Sequence, residues 1–293
     1  MNVRNIRLAG MSTGIPIAAV LLLASLASAQ TRRVERHFTV DGNPVVTVQN
    51  STGRIQVRAW DKHEVMISAQ ASAGNPDFAS EQAGNRIEIV TRPMATRPGA
   101  EPVKTEYEIT VPADTQLQVR TDSGNVTVDS VHGDMSFDTV AGDLALQDVD
   151  GYMMIKSIGG SLVCTRCSGR LDATSISGNF QLVQPVMDNV RVQTSSGNIL
   201  FDGGFQASGI YVLKNYSGTI EVRFSKDDSF DVSATSFYGN VVNQAPITPD
   251  KHKMRTPQYN TGMAKSLFGS IGDGRAKVEL YSFSGTIKIL KRD

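Results

Sequence analysis

The chain has 293 residues, with 29 basic and 29 acidic side chains and a formal net charge of zero. That balance excludes the strongly basic surface that a nucleic-acid-binding domain needs, so we predict no nucleic-acid partner. The sequence is rich in Val, Thr, Ser and Gly and carries no long helical period, which favours strands over helices.

The first 29 residues have the order of features typical of a secretory signal peptide. Arg4 and Arg7 give a positive start, residues 15–26 form a short apolar stretch, and Ala27-Ser28-Ala29 forms a small-residue cleavage site. The apolar stretch is too short for a comfortable membrane span, and no Cys follows the site to mark a lipoprotein. We therefore predict export to the periplasm, the cell surface or the medium, with no transmembrane anchor after signal cleavage.

Residues 30–115 are predicted to form irregular N-terminal coils that cap one end of the fold. Gly53 stands at a corner with apolar pairs on both sides, and further apolar pairs follow at residues 65–67, 87–89 and 109–111. Terminal repeats of a stacked fold are commonly atypical because they cover an exposed sheet edge.

A glycine recurs every nine residues through the middle of the chain, and residues 116–243 are predicted to be the regular part of the fold. Apolar residues stand at the second and fourth positions after each glycine, which places both side chains on one face of a short strand. A third apolar residue, at the seventh position, is predicted to point back inward after a corner. Glycine supplies the close backbone approach or the positive φ that such a corner needs. The predicted corner glycines are Gly124, Gly133, Gly142, Gly151, Gly160, Gly169, Gly178, Gly197 and Gly218.

Past Gly178 the spacing between corners lengthens at every second corner only. This alternation indicates that the true repeat is two units, about 18 residues, with the additional residues along one edge. We predict an all-β, single-domain β-solenoid, of the β-helix or β-roll kind, with two strands per coil. An antiparallel meander can also place loops along one edge, and it is the alternative.

Residues 244–277 break the pattern with three prolines and scattered charge, and they are predicted to be an irregular loop excursion. The repeat returns at residues 278–293, where Val278, Leu280, Ile287 and Ile289 surround Ser284-Gly285. We predict that this segment is the closing repeat of the fold.

Three segments carry a resemblance to a known family. They are the run YEITVPADTQLQVRTDSGNVTV, the opening NSTGRIQVRAW and the final FSGTIKI, with Ser-Gly-x-apolar-x-apolar units between them. Over roughly residues 40–290 the chain resembles the bacterial putative-adhesin family of unknown function. The resemblance implies short β-strand repeats and a binding or scaffold role in the cell envelope, and it brings no catalytic residues.

Cys164 and Cys167 are the only cysteines of the chain, and both are predicted to point inward in one repeat. In an oxidising compartment they could form a disulfide across the corner. Reduced thiols filling the core are the second possibility. A redox or zinc role is the third, although neither the helix N-terminus nor the additional ligands that these sites need are evident nearby.

No metal, cofactor or catalytic residue is predicted. Asp129 and Asp138 follow their glycines by five residues, but Gln147 and Lys156 take the next two equivalent positions, so a calcium-binding carboxylate ladder is absent from the sequence. The four histidines are scattered without motif context, at His37, His63, His132 and His252. We therefore expect a protein that is not an enzyme, with a carbohydrate-active β-helix enzyme as the alternative.

The inserted residues at alternate corners are the candidate interaction edge. Loops stacked on a rigid scaffold are where binding usually resides, and Phe205 lies in one such loop. We predict contact with an envelope polymer or an envelope protein, and a structural spacer without a ligand is a further possibility. The candidate residues are Asp202, Phe205, Gln206, Lys226, Asp227 and Asp228.

Overall fold

The computed structural model describes residues 33–72, 77–92, 103–250 and 265–292. The predicted signal peptide and residues 251–264 of the predicted excursion lie outside these ranges. In the described ranges, no helix is long and apolar enough to cross a membrane.

The described residues form 23 strands that belong to one hydrogen-bonded sheet, which confirms the predicted all-β class. The strands are β1 (Arg33–Thr39), β2 (Val45–Trp60), β3 (Glu64–Ala71), β4 (Phe78–Ala83), β5 (Arg86–Thr91), β6 (Thr105–Pro112), β7 (Gln116–Asp129), β8 (Met135–Ala141), β9 (Leu144–Gln147), β10 (Asp150–Gly159), β11 (Leu162–Thr165), β12 (Ser168–Ser175), β13 (Phe180–Val183), β14 (Val186–Ser196), β15 (Ile199–Asp202), β16 (Ile210–Ser217), β17 (Thr219–Phe224), β18 (Phe230–Ser236), β19 (Asn240–Asn243), β20 (Thr248–Pro249), β21 (Lys265–Ile271), β22 (Ala276–Ser282) and β23 (Thr286–Lys291).

The strands of the regular region pair in parallel with the next strand but one. In the first row, β8 pairs with β10 and β10 with β12, so that Met135, Met153 and Leu171 stand side by side. In the second row, β9, β11 and β13 pair in the same way, which aligns Leu144, Leu162 and Phe180. Each layer of the stack therefore contains one strand of each row and uses 18 residues. Because these strands pair in parallel, the alternative prediction of an antiparallel meander is wrong for the regular region.

The core lies between the two rows. Alternate residues of each strand point inward, as the spacing of two predicts, and they stack on the equivalent residues of the layers above and below. Val126 and Val128 of β7, for example, are at most 1% exposed and align with Leu144 and Leu146 of β9. Burying rows of this kind contributes about 1.5–3 kcal/mol for each large side chain.

The prediction that every seventh position points inward is wrong for half of the corners. Val131, Val149 and Cys167 are at most 1% exposed, but Val140, Ile158 and Ile176 are 44%, 51% and 56% exposed. The nine-residue units alternate between two different corners, and at the first corner a residue with positive φ precedes the inward side chain. The positive-φ residues there are Ser130, Asp148 and Arg166. At the second corner, which we name the glycine corner, the seventh residue stays on the outer surface. The predicted glycines Gly133, Gly151 and Gly169 stack in the same way at the first corner, where a Cβ atom on Gly151 would lie 2.3 Å from the carbonyl oxygen of Gly133.

Six of the nine predicted corner glycines, and three others, show why the layers stack so closely. At the glycine corner, glycines of successive layers lie one above another. In layer order they are Gly53, Gly124, Gly142, Gly160, Gly178, Gly197, Gly218, Gly285 and Gly239. A Cβ atom built on Gly160 would lie 2.3 Å from the carbonyl oxygen of Gly142, and one on Gly178 would lie 2.3 Å from that of Gly160. No side chain fits at this distance, so a layer can rest on its neighbour only through glycine.

Antiparallel strands cover both ends of the stack. At the N-terminal end, β5 and β6 pair in parallel with β2, and β4, β3 and β1 add to them in antiparallel pairs. At the other end, β21 pairs antiparallel with β18, and β20 with β21. The edge strand β1 has the charged sequence RVERHFT, which discourages pairing with another chain.

The segment predicted to be the closing repeat does not form the last layer of the stack. It forms the layer before the last one. β22 pairs with β16 on one side and β18 on the other, and β23 lies in the same way between β17 and β19. The chain leaves β17 and skips one layer before it forms β18 and β19. Val278, Leu280, Ile287 and Ile289 repeat the inward pattern and fill that layer, since all four are at most 2% exposed.

The neighbouring residues Gly159 and Gly160 test the close approach. We expect Gly160→Ala to lower the free energy of unfolding by at least about 3 kcal/mol, since the new Cβ meets a carbonyl oxygen and φ is +94°. Gly159→Ala is the control: its Cβ would lie 3.4 Å from the nearest atom, the Ser177 hydroxyl, and we expect a change within about 0.5 kcal/mol. Urea unfolding followed by circular dichroism measures both, and equal effects would contradict the glycine contact.

The inserted layer makes a second prediction. Leu280→Asp places a carboxylate in the core of β22, and among the described strands the pairing of β18 and β19 with the regular layers runs through β22 and β23. We expect the backbone amides of β18 and β19 to lose hydrogen-exchange protection while those of β8–β13 keep theirs. Glu279→Ala, on the outer face of the same strand, is the control. Retained protection of β18 in Leu280→Asp would overturn the layer order.

Candidate functional site

The insertions of the predicted interaction edge come together in the structure. The carboxylate of Asp228 accepts hydrogen bonds from the backbone N–H groups of Phe205, at 2.9 Å, and Ser225, at 2.6 Å. The N–H of Ser208 donates to the carbonyl oxygen of Arg275, and the Ser229 hydroxyl bonds the carboxylate of Asp273. Loops 203–209, 225–229 and 272–275 therefore brace one another at one edge.

Phe205 is not presented to a partner as the sequence suggested. Its ring is half-buried against the aromatic core, with centroids 5.0 Å from Phe201, 4.7 Å from Tyr211 and 4.6 Å from Phe230. Phe205 turns inward because the outward path of the loop leaves these large rings uncovered, and burying them is favourable. The ring therefore acts as a plug of the core.

The other five candidate residues divide into two groups. Asp202 pairs with Arg292 and, at 3.9 Å, with Arg223, and Asp228 braces the loops, so both have structural partners. Gln206, Lys226 and Asp227 are exposed. These three are the candidate residues whose side chains remain exposed at this edge.

Tyr211 connects the edge to the core. Its phenol donates a hydrogen bond to the carbonyl oxygen of Met187, at 2.6 Å, and accepts one from the N–H of Gln206, at 2.7 Å. Burial raises the pKa of Tyr211 to about 12, although the bond from Gln206 opposes the shift. The neutral phenol is thus part of the folded edge.

A second surface follows the glycine corner, on the residues two positions before each glycine. We name it the aromatic stripe, and in layer order it consists of Val140, Ile158, Ile176, Ser195, Tyr216, Phe283 and Phe237, with Tyr238 beside Phe237. Tyr216 is 57% and Tyr238 60% exposed. The Tyr216 and Phe283 rings stack with centroids 4.5 Å apart, and Phe283 and Phe237 at 5.8 Å.

Sequence reasoning missed this surface because it assigned the seventh positions of all units to the core. The signal that could have found it is the 18-residue spacing of Val140, Ile158 and Ile176, which separates one corner from the other. Large exposed apolar patches of this kind commonly mark binding surfaces.

A shallow groove of about 380 Å³ lies on the outer face of the second row, across the glycine corner from the stripe. Asn179, Gln181, Asn198 and Leu200 are among its lining residues. Glu221 lies on one side, where it pairs with Arg223 at 2.5 Å and with Lys288 at 3.9 Å. The groove therefore offers amide groups and an ion-pair network.

Cys164 and Cys167 form a disulfide, with their Cα atoms 5.9 Å apart. Both side chains are fully buried, and Cys164 lies between Leu146 and Leu182 of the neighbouring layers. The disulfide therefore links a strand to the next corner inside the core. Among the described residues, no group of three or more His, Cys, Asp and Glu side chains is placed to hold a metal ion, and His252 lies outside those residues.

A stack of parallel two-strand layers around one apolar core, capped by antiparallel strands, defines an all-β repeat protein. The chain belongs to the Toastrack DUF4097 family, whose model matches residues 44–290. This match confirms the family resemblance seen in the sequence. No curated protein matches the chain.

Several solved structures are similar to this chain. A putative adhesin from Bacteroides fragilis NCTC 9343 is 12% identical over 89% of this chain and 98% of its own, with a TM-score of 0.45. A putative adhesin from Parabacteroides distasonis ATCC 8503 is 9% identical over 89% and 98%, with a TM-score of 0.43. A putative lipid binding protein from the same organism is 12% identical over 90% and 98%, with a TM-score of 0.43.

The raised pKa of Tyr211 makes the stability of the edge depend on alkaline pH. Because the folded state favours the neutral phenol, Tyr211 makes its full contribution to the free energy of unfolding below the ordinary pKa of 10. That contribution is lost as pH rises toward 12. At pH 8, Tyr211→Phe should lower the free energy of unfolding by about 1–3 kcal/mol relative to the wild type, because the substitution removes two hydrogen bonds. We expect this difference to narrow at pH 11, measured by urea unfolding. The exposed Tyr281→Phe is the control, and a difference that stays constant from pH 8 to 11 would contradict the buried phenol.

Proposed function

We propose that the protein is an exported, non-enzymatic β-solenoid with two strands per coil, which acts as an adhesin-like binding or scaffold module of the bacterial cell envelope. Its action is display: the stacked layers hold loops and surface rows at fixed spacing for an envelope polymer or an envelope protein. Export is supported by the signal-peptide pattern of residues 1–29.

The observation that carries the proposal is the bracing of the inserted loops. Asp228, Ser229 and the carbonyl oxygen of Arg275 tie three loops to one another, at a place where the repeat itself needs no additional residues. Loops that are ordered in this way lose little conformational entropy when they bind, so a rigid edge favours recognition. Lys226 and Asp227 project from this edge into solvent.

The experiment is co-sedimentation of residues 30–293 with separated envelope fractions: peptidoglycan, outer-membrane vesicles and whole cells. The edge variant is Lys226→Ala with Asp227→Ala, because deleting residues 202–208 would also remove Phe205 from the core. The matched control is Asp61→Ala with Lys62→Ala, which removes the same two charges from the turn between β2 and β3.

Saturable binding to one fraction, weakened in the edge variant and kept in the control, is the expected result. Absence of binding to every fraction would contradict the binding role and favour a spacer. Release of soluble sugars from a glycan by the purified protein would contradict the non-enzymatic role and support the carbohydrate-active alternative.

A further inference from the structure

The aromatic stripe contains one slot. Ser195 occupies the layer between Ile176 and Tyr216, and its side chain is too small to fill the space between them. Strands in neighbouring layers are about 4.8 Å apart, so Ile176 and Tyr216 stand about 10 Å from each other. One flat ring placed above Ser195 would lie near van der Waals contact with both.

The Tyr216 ring is oriented to form one wall of this slot. It lies within 15° of parallel to the Phe283 ring, at 4.5 Å, so one face is covered by Phe283. The opposite face is turned toward the layer of Ser195, because the three residues occupy successive layers. An exposed aromatic face beside a small residue is a stacking platform.

The stripe and the serine row beside the slot are uncharged, and the exposed Lys214 stands two residues before Tyr216 on the outer face of β16. The hydroxyls of Ser196, Ser217 and Ser284 donate to carbonyl oxygens of the neighbouring layer at 3.2–3.5 Å, which leaves their oxygens free to accept. From Val140 to Tyr238, the described residues of the stripe and of the adjacent serine row include no charged side chain. The first charge on the stripe is Asp122, one layer beyond Val140.

This chemistry fits one class of partner. An anionic membrane surface or a nucleic acid attracts clustered basic residues, which the stripe lacks. Recognition of an extended peptide by strand addition needs free backbone groups, but here the amides bond the next layer. A sugar ring has an apolar C–H face that packs on an aromatic ring and hydroxyls that donate to acceptor oxygens.

We propose that the slot between Ile176 and Tyr216 binds one ring of a neutral glycan chain, and that the stripe on both sides of it carries the neighbouring sugars. The inference rests on the proposed envelope-binding function and names the class of polymer. It places the contact on the glycine corner and away from the loop edge.

The test uses the full mature chain in gels that contain hydroxyethylcellulose, mixed-linkage β-glucan or mannan, with chitohexaose titration in solution. Tyr216→Ala removes the wall and Ser195→Phe fills the slot, and each is expected to weaken binding about ten-fold. Tyr216→Phe keeps the ring face and should stay within about two-fold of the wild type. Tyr152→Ala, an exposed tyrosine at the other corner, is the control, and thermal unfolding checks that each variant is folded.

The outcomes separate this inference from the proposed function. Loss of glycan binding in Tyr216→Ala and Ser195→Phe, with binding kept in Tyr216→Phe and Tyr152→Ala, supports the slot. Wild-type protein that ignores all four glycans, or that binds them equally well in every variant, overturns it. Binding to phosphatidylcholine or phosphatidylglycerol vesicles in place of glycans also overturns it. If envelope binding then still depends on Lys226 and Asp227, the proposed function stands without the slot.

Discussion

The fold depends on the contact between one glycine and the carbonyl oxygen of the glycine one layer below. Because a Cβ atom at Gly142 would lie 2.2 Å from the oxygen of Gly124, each layer settles at a spacing that only bare backbone allows. That contact fixes the register of the paired strands in neighbouring layers, and equivalent residues of successive layers therefore stack on one another. The stacked apolar side chains fill the core, and the strands of both rows keep the same hydrogen-bonding register from layer to layer.

The same register brings a row of polar side chains into the interior beside the glycine corner. Its members include Thr121, Thr139, Ser175, Thr194, Asn215, Ser282 and Ser236, all at most 3% exposed. These residues are tolerated because they serve the corner: the hydroxyls of Thr121 and Ser175 accept hydrogen bonds from the N–H groups of Gly124 and Gly178. The polar row and the glycine corner are therefore one device, since the turn that excludes a Cβ atom also frees a backbone donor that the row satisfies.

Local pattern was enough to predict part of this structure. The spacing of Val126 and Val128, repeated at Leu144 and Leu146, predicts inward rows, and the insertions after Gly178 predict a repeat of two units. Two features were beyond the sequence. Val140 and Val149 occupy the same position of the nine-residue unit, and only the backbone at Asp148, with φ at 52°, turns Val149 inward. The place of β22 between β16 and β18 depends on pairings more than 40 residues apart in sequence, which no local pattern encodes.

The candidate surfaces differ in how much of their chemistry folding already requires. At the loop edge Phe205 fills the core, Asp228 holds two backbone N–H groups, and Asp202 pairs with Arg292, so most of the side chains there have a structural reason. The stripe has no such explanation for its composition, because the residue before each Ser-Gly corner points outward and any polar side chain would suit solvent. Exposed Ile158, Ile176 and Tyr216 each forgo burial, and a soluble surface is better served by charge. Apolar and aromatic residues kept in register on an outer corner are therefore the stronger sign of a surface that meets another molecule.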